Sequence, residues 1–213
     1  MHYDVPPLQR YSKGRPNVGS PRPGREYRHI GDEIKITQRW ISSFVIDLNL
    51  CPFARREVLG ARVRFSVFEG QDLARALHVV HDEAALLDSD DTIETSFLIL
   101  PEATHDFRDF HGFVDVAESL LNRRGWEGVY QLVGFHPSYQ FAGTALEDAE
   151  NFTNRSPYPM LHILRESSVS FAVDTTPDAA HISERNIATL NLQGAESLKK
   201  RWQMCFFDER SKP

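Results

Sequence analysis

Thr95-Ser96-Phe97-Leu98-Ile99-Leu100 is a short, mostly apolar run near the middle of a 213-residue chain. Its length and composition suit a central strand buried on both faces. On its N-terminal side, residues 62–69 alternate, with Val63, Phe65 and Val67 on one side, which is the period of a strand. Between the two, Leu73, Leu77, Val80, Ala84 and Leu87 recur at spacings of four and three and predict an amphipathic helix. On the C-terminal side, Phe107, Phe110, Val114, Ala117 and Leu121 mark a second helix, stopped by Arg123-Arg124-Gly125. Residues 129–135 then form a third strand. The order is β-α-β-α-β. Helical crossovers between successive strands favour parallel pairing and right-handed connections. The expected fold is α/β: a small, mostly parallel sheet with an N-terminal helix and a helical C-terminal third.

The outer segments complete this expectation. Asp32 is a helix N-cap candidate, and Ile34, Ile41, Phe44, Val45 and Leu48 give one apolar face running to about Asp47. Pro157 and Pro159 fit a helix start with Ser156 as its cap. Residues 167–173 fit either an alternating strand through Val169, Phe171 and Val173 or a continued helix. Pro177 opens a further helix, and Gly194 separates it from a last one on which Leu198, Trp202 and Cys205 share a face.

Composition narrows the function classes. Hydrophobic residues at 41% and charged residues at 25% are those of a soluble globular protein. No apolar run approaches the roughly 20 residues of a membrane helix, and no secretory h-region is present. Cys51 and Cys205 do not form a disulfide framework, so an intracellular, reducing compartment is the simpler expectation, cytoplasmic or organellar. Residues 1–30 hold six Lys/Arg against Asp4 and Glu26, together with five prolines. That is a Pro/Arg-rich extended arm of charge +4, and it leaves −10 of the total −6 on a single domain at 31–213. An acidic body argues against a nucleic-acid surface on the fold. The basic arm suits a protein partner.

The chemistry concentrates in residues 134–165, GFHPSYQFAGTALEDAENFTNRSPYPMLHILR. A long irregular stretch inside a compact domain is functional or disordered, and this one is too aromatic for disorder. Parallel strands place their carboxyl ends at one edge, where open α/β sheets bind ligands. Glu69, Glu102, His105 and His136 arrive there. A helix over 157–165 carries Tyr158, His162 and Arg165 on one polar stripe. Asn154, Arg155 and Ser156 stand at its N-terminus, an arrangement that suits a carboxylate or phosphate. Tyr139 joins the ligand-binding set. His136 and His162 are candidate catalytic proton carriers. Cys51, ahead of Pro52, is a candidate nucleophile or a buried inert thiol. His78 and His81 stand at metal-binding spacing beside Asp82, although a solvated helix face explains them as well. No HExxH, paired CxxC, Walker loop or GxGxxG occurs, so no metal ligand and no cofactor is assigned.

Three blocks act together as a signature: Asn49-Leu50-Cys51-Pro52-Phe53-Ala54, then Gly134-Phe135-His136-Pro137 with Tyr139 and Phe141, then Thr153-Asn154-Arg155-Ser156-Pro157-Tyr158-Pro159 with Leu161, His162 and Arg165. The combination resembles the family known as the domain of unknown function numbered 1415, over about residues 32–206. The resemblance implies a self-contained body and no particular activity. Three functions stand open: an enzyme or binding domain for an anionic small molecule, a non-catalytic accessory subunit anchored by its basic arm, and a metal-binding protein.

Overall fold

A computed structural model describes residues 32–176 and 179–207 of the chain. The arm at 1–30 and Pro177 lie outside the described residues. The chain begins with α1 (Asp32–Trp40), which widens without a break into a π-helical turn over Ile41–Ile46. A short α2 (Ala54–Leu59) follows the Leu50-Cys51-Pro52 bend, and the sequence pattern did not reveal it. Next come β1 (Val63–Val67), α3 (Leu73–Ser89), β2 (Thr95–Ile99), α4 (Phe107–Arg123) and β3 (Tyr130–Phe135). This is the β-α-β-α-β order expected from the periodicity. Asp72 and Asp106 cap α3 and α4, each accepting two backbone N–H groups through its side chain. Such a cap contributes about 1 kcal/mol.

The segment after β3 departs from expectation. Residues expected to be helical from Pro157 form β4 (Met160–Arg165). It inserts between β2 and β3, and the sheet order is β1-β2-β4-β3. The β1–β2 pair is parallel, whereas β4 runs antiparallel to both neighbours. The sheet is therefore mixed rather than mostly parallel. The physical reason lies in Met160-Leu161-His162-Ile163-Leu164-Arg165. A central strand covered on both faces carries apolar residues at odd and even positions alike, and such a run cannot be told from a buried helix by period alone. The helical stripe of Tyr158, His162 and Arg165 does not exist. His162 shares a sheet face with Met160 and Leu164, and Arg165 lies on the other face.

Past β4 the chain is helical: α5 (Glu166–Thr175), α6 (Ile182–Gln193) and α7 (Ala195–Met204). The ambiguous 167–173 stretch is thus helix. Gly194, at φ +76°, makes the break between α6 and α7 that an L side chain would strain.

Two cores flank the sheet. One packs α3 and α4 on Leu98, Leu132, Leu161 and Ile163. The other packs Trp40, Phe44, Leu190 and Leu198 on Phe97, Ile99 and Met160. Gly134 is needed for the first. A Cβ there would come within 3.0 Å of the Phe110 ring and 3.3 Å of Val114, so glycine lets α4 lie close on β3. Arg64 points into this layer from β1. Its guanidinium grips Glu83 of α3 through two bonds of 2.8 and 3.0 Å, and Ser96 Oγ donates to the same carboxylate at 2.5 Å.

Candidate functional site

Because β4 is antiparallel to both β2 and β3, those two strands still point the same way. The carboxyl ends of β1, β2 and β3 therefore share one edge, where Ile99, Met160 and Phe135 sit in register. Residues 136–159 fold over this edge, and their polar groups are mostly spent on each other. His136 is buried. Its Nδ1 accepts the Ser138 N–H at 3.0 Å, so the proton is on Nε2, which donates to Thr104 O at 3.0 Å. Thr104 sits at φ +54° in the β2–α4 connection. His136 thus pins that strained loop to the end of β3. Burial lowers its pKa, against the opposing pull of the Thr104 carbonyl. With both nitrogens engaged, His136 has no free site for moving a proton.

The neighbouring residues follow suit. Arg155 Nε donates to Tyr139 O at 3.0 Å and its Nη2 to Leu146 O at 2.5 Å, while the guanidinium lies 5.0 Å from the Phe152 ring centre. Asn154 Nδ2 donates to Gly134 O. Ser156 Oγ donates to Tyr158 O. Fully buried Asn151 accepts from Phe141 N–H and the Thr144 hydroxyl and donates to Ala145 O. Tyr139 packs on Phe107 and Phe141, and Tyr158 packs edge-on to Phe206. These bonds turn a loop without regular structure into a rigid cover, because a buried polar group left unpaired would cost about 1–3 kcal/mol. The structure brings together His136, Tyr139, Asn154, Arg155, Ser156 and Tyr158.

Arg165 stands apart from that group, and neither His162 nor Cys51 has a hydrogen bond to it. Arg165 lies five residues along β4 from Met160, roughly 17 Å from the loop edge at strand rise. Its Nη2 donates to Leu87 O, Asp90 O and Ile93 O, closing the C-terminal end of α3. Cys51 is partly buried, and burial raises its thiol pKa against the lowering effect of the Phe53 and Ala54 backbone. Neither histidine is among the groups acting on it, so nothing here holds it as a thiolate.

His162 differs from His136. Thr95 Oγ1 donates its single proton to Ile163 O at 2.6 Å, so its 2.6 Å contact with His162 Nε2 is an N–H to oxygen bond. The ring is therefore held as the Nε2–H tautomer. Nδ1 has no partner among the described residues. Burial pushes the pKa down to about 3, so the ring is neutral at ordinary pH. A general base works best with a pKa near the working pH. His162 is thus a hydrogen-bond acceptor rather than a proton carrier.

An open cleft of about 660 Å³ does lie at the carboxyl end of β1, lined by Val67, Phe68, Glu69, Arg75, His78 and Val79. Arg75 and Glu69 have no side-chain partner among the described residues. His78 Nδ1 lies 2.8 Å from Ala74 O and must donate to it, which leaves Nε2 as a free acceptor. The periodicity placed His78 beside the apolar stripe of α3 and read it with His81. In the fold His81 turns instead to Asp82 and Trp126. The sequence does not single out Arg75, because nothing in it tells which polar residue of a helix faces a strand end. Among the described residues no three His, Cys, Asp or Glu side chains group as metal ligands would.

A family described as "Protein of unknown function (DUF1415)" matches residues 32–200. No curated protein and no solved structure matches.

Proposed function

The chain belongs to the DUF1415 family, and from its own geometry we propose that the body binds a small anionic molecule in the cleft beside β1. One observation carries the reading: Arg75, Glu69 and the Nε2 of His78 line a single cleft with their functional atoms unspent, at the edge where α/β sheets receive ligands. Arg75 supplies the charge for a carboxylate or phosphate. His78 Nε2 accepts a hydrogen bond from a ligand hydroxyl or amine. Glu69 favours a ligand that presents a donor opposite its anionic group. The loop cover over 136–159 serves as scaffold in this reading.

The test is thermal stabilisation by inorganic phosphate, succinate and glutamate, on the wild type and on Arg75→Gln. A saturable rise with at least one anion, lost in the variant, is the expected result. No rise with any of them, or equal rises in both proteins, overturns the reading.

A second reading, an accessory subunit, rests on α5. This ten-residue helix buries none of its side chains and leaves Phe171 and Val173 exposed. Exposed apolar side chains on one helix fit a protein contact. Deleting residues 1–30 would test the arm's share in such a contact. An unchanged elution volume for the assembly removes the arm from it.

A further inference from the structure

The cleft beside β1 holds opposite charges that do not meet. Glu69 follows the end of β1, and Arg75 stands in the first turn of α3. Both line the cleft, and among the described residues no ion pair joins them. The place of Arg75 is unusual for a cation. It opposes the positive end of the helix dipole, so the stability of α3 does not call for it. His78 follows three residues later on the same helix face, with Nε2 as a free acceptor. The cleft thus offers one strong donor group and two acceptors. Val67, Phe68 and Val79 make the rest of its lining.

A plain anion answers only half of this arrangement. Bound to Arg75, it has the Glu69 carboxylate in the same cleft as a like charge. The body repels it further, at a net −10 once the +4 of residues 1–30 is taken from the chain's −6. A molecule with both an ammonium and a carboxylate has no net charge, so the long-range field does not oppose it. Its carboxylate meets the fork of the Arg75 guanidinium. Its ammonium carries three donors and no acceptor, which suits Glu69 and His78 Nε2 together. The carbon frame between them lies against Val67, Phe68 and Val79. At about 660 Å³ the cleft has room for such a molecule.

We propose that the cleft receives a zwitterionic amino acid with an apolar carbon frame, its carboxylate on Arg75 and its ammonium on Glu69 and His78. The proposal rests on the anion reading of this cleft and narrows it, because it requires the second charge as well as the first. It accounts for a cation at the positive end of a helix and for a carboxylate left unpaired in the same cleft.

Leucine, isocaproate and isopentylamine are the first probes. They share a side chain and carry both charges, the carboxylate alone and the ammonium alone. The isomer ε-aminocaproate holds the two charges far apart. Binding to the full chain is followed by the backbone amide resonances of residues 68–79. The better of the two zwitterions binds about fivefold more tightly than isocaproate, and by a similar factor more tightly than isopentylamine, the worth of one exposed charge pair. Which zwitterion it is separates an α-amino acid from an ω-amino acid. Glu69→Gln brings the zwitterion-to-acid ratio to about one, and Arg75→Gln does the same for the zwitterion-to-amine ratio. Equal binding of zwitterion and acid in the wild type, both lost in Arg75→Gln, overturns the proposal and leaves the anion cleft standing. An unchanged ratio in Glu69→Gln also overturns it. No response to zwitterion, acid or inorganic phosphate removes both readings. Melting temperatures of both variants serve as the folding control.

Discussion

Lowering the pH from 7 to 5 should destabilise the wild type more than it destabilises His162→Phe. The ordinary histidine pKa of 6.5 applies to the unfolded chain, and the folded value is about 3. As pH falls, the unfolded chain takes up this proton first. The stability tied to neutral His162 is therefore complete above about pH 6.5 and is lost progressively down to about pH 3. Between pH 7 and 5 the loss from this one group comes to about 2 kcal/mol. For a chain of this size that is on the order of 4–8 °C in Tm. The other titrating groups, His136 included, are common to both proteins and cancel in the comparison. Urea unfolding of each protein at pH 7.0, 6.0 and 5.0 reads the difference directly. Wild-type and variant stabilities that fall in parallel would show that the imidazole is not held neutral in the fold, and the burial argument for His162 would collapse.

Three further outcomes follow from single contacts. His136→Ala removes a buried ring and both bonds joining Ser138 to Thr104, and should cost about 3–4 kcal/mol in urea unfolding at pH 7. Gly134→Ala drives a methyl into Phe110 and Val114 and should cost about 1–3 kcal/mol by the same measurement, without loss of secondary structure by circular dichroism. Arg165→Gln strips a charged donor from three carbonyls at the end of α3. It should cost about 2 kcal/mol and speed hydrogen exchange of the amides of residues 87–93.

The candidate site was legible as a place and not as a set of atoms. The carboxyl edge of β1, β2 and β3 followed from the order of elements, and the loop from 136 onward does cover it. What could not be read was which polar groups remain free there. His136, Asn154 and Arg155 have the composition of a ligand site, yet each meets a backbone carbonyl. A carbonyl is offered by every residue, so no side-chain pattern announces it. Arg75 and His78 stood in an unremarkable helix and acquired significance only from the strand end beside them. Arg165 shows the same limit from the other direction: its partners are 72 to 78 residues away in sequence.

The sequence by itself determined the local elements with strong period. The alternation of Val63, Phe65 and Val67 and the four-three spacing through α3 and α4 needed no tertiary context. In α3 and α4 one face is buried and the other exposed, and that asymmetry is written in residue order; β1 keeps its alternation although all five of its residues are half-buried. The tertiary structure alone decided the state of residues 160–165. An apolar run covered on every side carries no period, and it became a strand because β2 and β3 left two open edges for it to join. The same step moved His162 from a supposed helical stripe to the middle of a sheet face, where its stacking, its tautomer and its free nitrogen are all set by strands that the sequence keeps far apart.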